Sequence, residues 1–133
     1  MIDLSIYFQP IAPDIPFTER QLGAQIKCYQ TDFPDLNGEN QTVVIKDDFF
    51  DVNDIDLFNK HIASTLQSTV ISDHATAMAT IVAGLGNSSA LGKGVAQKAK
   101  LLSSDFLNIF PDEIAALQGA STVNHSYGTV IEN

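Results

Sequence analysis

Thr42-Val43-Val44-Ile45-Lys46, closed by Asp47, and Asp73-His74-Ala75-Thr76-Ala77-Met78-Ala79-Thr80-Ile81-Val82-Ala83-Gly84 decide the fold between them. The first is a short run rich in β-branched residues and reads as a buried strand. The second is rich in alanine, spaces its apolar residues for a helix, and ends on a glycine suited to a C-cap. Outward from these, Ala99–Ser103 with Phe106 reads as a strand, as does Ala120–His125. His61–Leu66 reads as a shorter strand. Pro111–Gln118 reads as a helix, with proline in its first turn and Gly119 behind it. Strands alternating with helices imply an α/β fold of three layers, a mainly parallel sheet with flanking helices. Such sheets hold ligands at the carboxyl ends of their strands, which points to Asp47 and to Ser126.

The region before this core is a loop-rich lead-in over residues 1–40, broken by Pro10, Pro13, Pro16 and Pro34, with a short helix expected over Thr18–Lys27. Residues 41–133 carry the strand and helix alternation. Asp47–Asp56 reads as a solvated acidic loop. Gly86–Gly94 reads as a Gly/Ser/Asn loop.

The 133 residues are enough for one domain or part of one, and 44% hydrophobic content can build a core. A net charge of −9 speaks against nucleic acid, because no basic stripe is present to displace counterions. The single cysteine, Cys28, rules out an intramolecular disulfide and a thiolate zinc cluster. No apolar run reaches the ~18 residues of a membrane span. The first residues, Met1-Ile2-Asp3-Leu4-Ser5, lack the pattern of a signal peptide.

Asp47 at a strand end and His74 at a helix start are, in that chain order, two members of a nucleophile-activating triad. A carboxylate would hold the imidazole's tautomer, and the imidazole would take a proton from a hydroxyl nucleophile. The helix dipole at His74 favours the neutral base that this requires. A plain capping or surface histidine is the alternative. The Asp47, Asp48, Asp51, Asp54 and Asp56 run lacks the central glycine and closing glutamate of an EF-hand. Gly86–Gly94 departs from a phosphate loop, since five residues separate Gly86 from Gly92 and Gly94 stands where a metal-binding hydroxyl belongs.

Four stretches resemble, in order, the motifs of subtilisin-like serine peptidases. Val43–Leu57 is similar to the strand carrying the family's aspartate, with Asp56-Leu57 as the Asp-Leu pair that follows. His74–Gly84 resembles the His-Gly-Thr-His-Val-Ala-Gly helix, and Gly94–Ser103 the Gly-Val-Ala-Pro-x-Ala-x-Leu strand. Val123–Gly128 resembles the Asn-x-Ser-x-Gly strand end, and its wording is closest to secreted subtilases of Bacteroidetes. The resemblance implies a partial subtilisin-like fold over residues 41–133. It implies orienting Asp47 (or Asp48), base His74, and Ser126, Tyr127 and Gly128 as the backbone on which a peptide substrate pairs.

It also implies a secreted or cell-surface enzyme with no cofactor in its chemistry, structural calcium being compatible with it. The motifs depart from the pattern at Asp48-Phe49, Ala75 and Ala77. None of the serines stands in the family's Gly-Thr-Ser-x-Ala context, so the expectation is the part of a serine endopeptidase domain preceding the nucleophile, inactive alone. The cut sheet edge would then be covered by the remainder of the domain or by a second copy. The alternative is a non-catalytic, subtilase-derived binding or assembly module. A phosphate-binding α/β module is the third.

Overall fold

The computed structural model describes residues 28–108 and 119–128. Among the described residues four strands form one sheet: β1 (Thr42–Asp47), β2 (His61–Ile62), β3 (Lys100–Asp105) and β4 (Thr122–His125), in the order β2-β3-β1-β4. Every pairing is parallel, which gives the expected α/β architecture. β1, interior like β3, faces Leu101, Ser103 and Asp105 of β3 from Val43, Ile45 and Asp47, and faces Thr122 and Asn124 of β4 from Val43 and Ile45.

Between β1 and β3 the chain forms α1 (Asp73–Ala83). Its cap is Ser72, whose side chain accepts a hydrogen bond from the Ala75 amide and so satisfies one of the helix's first free donors. Ala75, Ala79 and Ala83, each four residues apart, are fully buried. A stripe of the smallest side chains lets α1 lie close to the sheet, against Val43, Ile45 and Leu101, with Phe50, Leu57 and Ala99 completing the core. Each large member of that core contributes about 1.5–3 kcal/mol by leaving water.

β1 is buried along nearly its whole length, Lys46 included. The Lys46 ammonium donates to Ser104 Oγ at 3.3 Å and to the Asn108 carbonyl, as a buried cation requires. Lys60, also buried, donates to the Gln97 carbonyl. Burial, with the Lys100 charge adding to it, holds the Lys60 ammonium below its ordinary range.

Two elements differ from the sequence expectation. β2 stops at Ile62, because Ser64 Oγ accepts from the Leu66 amide and bends the chain into a turn. Residues 28–32 are helical rather than loop, with the Tyr29 and Phe33 rings packed 5.0 Å apart one turn from each other. The helices expected over Thr18–Lys27 and Pro111–Gln118 lie outside the described residues.

Gly84 does follow α1, but its φ of −55° is not the left-handed cap conformation. Its glycine character has another cause. A Cβ on Gly84 would lie 2.4 Å from the Gly92 carbonyl oxygen, and one on Gly94 would lie 2.5 Å from the Gly84 nitrogen. Two backbone segments cross there with no room for a side chain.

Candidate active site

β1 ends on Asp47, and α1 begins with Asp73 and His74, so the sheet edge and the helix start bring these side chains together. His74 Nδ1 lies 2.7 Å from Asp47 Oδ2. An ionised carboxylate only accepts, so Nδ1 carries the proton, and in the neutral imidazole Nε2 is left as the acceptor. The Asp47 side chain is 7% exposed and that of His74 54%, which puts the carboxylate inside and the imidazole at the surface. The second oxygen, Oδ1, accepts from the Asp48 amide at 2.7 Å.

Asp48, left open as the orienting group by the sequence, turns elsewhere: its carboxylate meets the Ser68 hydroxyl at 3.5 Å. Asp47 is therefore the partner of His74.

The two segments that deliver this pair are joined. Phe49 and Ile71 form a parallel bridge, with the Phe49 amide donating to Val70 and the Ser72 amide donating to Phe49. The Asp51 amide donates to Thr76 Oγ1 at 2.9 Å, and that hydroxyl donates to the Ser72 carbonyl at 2.9 Å. Thr76 stands at the threonine of the His-Gly-Thr-His pattern, but sequence reasoning did not find these contacts, because a motif position names no partner.

Ser126, Tyr127 and Gly128 follow β4 directly, beyond the paired position Lys46–His125, and so reach the same carboxyl edge as Asp47. The Ser126 hydroxyl accepts from Asn124 Nδ2 at 2.8 Å. The Tyr127 ring packs 5.4 Å from Phe106, and its hydroxyl lies 3.1 Å from His125 Nδ1. Among the described residues nothing lies within 4 Å of where a Gly128 Cβ would stand. Among the described residues no hydrogen bond links this run to Asp47 or His74.

The acidic loop is not simply solvated. Asp51 and Asp54 each accept from the amide two residues on, at Asn53 and Asp56, and so shape successive turns. Asp56 is buried and accepts from the Ser88 hydroxyl and from the Asn87 and Ser88 amides. The Ser88 hydroxyl bond and the amides around it hold the Asp56 carboxyl below its usual range, against the effect of burial. The loop amides that would have cradled a phosphate thus hold an internal carboxylate. Among the described residues no group of three or more His, Cys, Asp or Glu is placed to hold a metal ion.

The Subtilase family matches over residues 29–131. The chain belongs to the subtilase family. That places this subtilase chain among the serine peptidases and gives its parallel sheet the character of a subtilisin-like α/β fold. Neither the curated proteins nor the solved structures gave a match for it.

Proposed function

We propose that the chain carries the aspartate and histidine side of a serine endopeptidase site, with Asp47 orienting His74 and His74 acting as general base. The observation that carries this is the 2.7 Å contact between a buried carboxylate and Nδ1 of an exposed imidazole. In that role Nε2 takes the proton of a serine hydroxyl while its oxygen bonds to the scissile carbonyl carbon. The imidazolium then returns the proton to the departing amine as the C–N bond breaks, and water repeats the attack on the acyl group. Asp47 stays ionised throughout and stabilises the imidazolium.

Ser126, Tyr127 and Gly128 serve as the strand end on which the peptide substrate pairs, and no cofactor takes part. No serine of these 133 residues stands in a Gly-Thr-Ser-x-Ala context, so on this reading they supply no nucleophile and do not turn over peptide on their own. On this reading the remainder of a subtilisin-like domain, or a second copy, covers the edge of β4 that is unpaired among the described residues. The wording of the motifs favours a secreted or cell-surface enzyme of the Bacteroidetes type. Among the described residues no helix is long and apolar enough to cross a membrane.

The test uses the complete natural polypeptide and a fluorophosphonate probe that labels activated serines. Labelling that disappears in His74→Ala, together with loss of peptide cleavage, is the expected result. A polypeptide that neither labels nor cleaves would overturn the peptidase reading in favour of a non-catalytic binding or assembly module.

A further inference from the structure

We infer that Thr76 is a positioning residue that fixes the distance between Asp47 and His74, an inference that rests on reading this pair as the base of the site. Asp47 and His74 belong to different elements, and each sits at the end of its element, where a chain frays most readily. Something must hold the segment after Asp47 against the first turn of α1. The backbone bridge between Phe49 and Ile71 does this on one side of the pair. On the other side the described residues offer one side-chain tie, the hydrogen bond from the Asp51 amide to Thr76 Oγ1 at 2.9 Å.

The chemistry of the hydroxyl makes that tie directional. Thr76 Oγ1 donates its single proton to the Ser72 carbonyl at 2.9 Å, one helical turn back. Its lone pairs are thereby turned outward, toward the Asp51 amide. A threonine bonded only to its own helix would be ordinary. This one joins the helix cap at Ser72 to the loop four residues beyond Asp47. Ser72, which caps the helix that carries His74, and the loop that follows Asp47 are thus tied through one oxygen atom. Thr76 touches neither reacting atoms nor substrate and acts through Asp47 and His74.

The pair itself supplies the readout. An imidazole Nδ1 proton held by a carboxylate gives a slowly exchanging, low-field proton resonance, observable by ¹H–¹⁵N NMR on the unmodified chain labelled at histidine. The expected result is that Thr76→Val loses this resonance while Thr76→Ser, which keeps both hydrogen bonds, retains it, the backbone amide spectrum of β1 and α1 staying native in both. A Thr76→Val chain that is folded and keeps the resonance unchanged would overturn the inference.

Should the valine variant not fold, exchange in the unmodified chain under mild urea decides the matter. The Asp51 amide and the His74 Nδ1 proton should then open together with the same urea dependence. Loss of the Nδ1 proton while the Asp51 amide stays protected would equally overturn it. Asp47→Asn tests the underlying reading separately: persistence of the resonance in that variant would remove the pair itself, whatever Thr76 does.

Discussion

At His74 the assignment of protons follows from its partner, because Asp47 offers only acceptor oxygens and is shielded from water. Elsewhere the same residue type does structural work, and Asp56 is the clearest case. Its carboxyl is held below the ordinary value of 3.8 by the Ser88 hydroxyl and nearby amides. As pH falls, the unfolded chain binds this proton before the folded one does. The stabilisation is complete above about pH 4 and is lost as pH drops through the depressed value. Asp56→Asn should therefore lower stability at neutral pH and flatten the acid limb below about pH 4, measured by circular dichroism during acid titration. Asp47 and His74 were legible because each closes or opens a local pattern, a β-branched run and an alanine-rich helix. Asp56 and Thr76 stand at motif positions, but their structural roles were not legible, since the partners lie 31 or 32 and 25 residues away and a motif does not name them.

At the level of elements, α1 approaches the sheet closely because Ala75, Ala79 and Ala83 form its buried stripe, and a matching economy of space governs its far end. The glycine after α1 was legible as a boundary, but its reason was not. The sequence suggests a left-handed cap, whereas the crossing of Gly84 and Gly94 requires missing side chains. Gly94→Ala would place a methyl group 2.5 Å from one backbone nitrogen and 2.6 Å from the next, at Gly84 and Ala83. It should cost about 1–3 kcal/mol or more, read as a lower urea midpoint with an unchanged slope. Gly128→Ala, which meets nothing within 4 Å among the described residues, should leave that midpoint in place. β2 shows the opposite limit: a stretch with strand character is cut to two residues by the turn at Ser64, a competition that propensity alone does not resolve.

Across the whole molecule, the alternation of strand and helix was enough to give the parallel α/β architecture, since buried runs such as Val43–Ile45 cannot be left solvated. The order β2-β3-β1-β4 was not readable, because pairing depends on which edges meet rather than on any one strand's composition. With β1 in its interior, the sheet has a kinetic consequence. The contact between Asp47 and His74 closes a separation of 27 residues, and loop closure of that length costs little more than for a span half as long. The pairing of β1 with β3 spans 58 residues, and β4 arrives later still in the chain. Contacts of short separation are the first that a collapsing chain can form. In refolding followed by pulse-labelled hydrogen exchange, protection of the Ser72 and Phe49 amides should precede that of the β4 amides. Simultaneous protection would show a single concerted step instead. On this order of events the Asp47–His74 pair is a folding unit first, assembled while the β4 side of the sheet is still unmade.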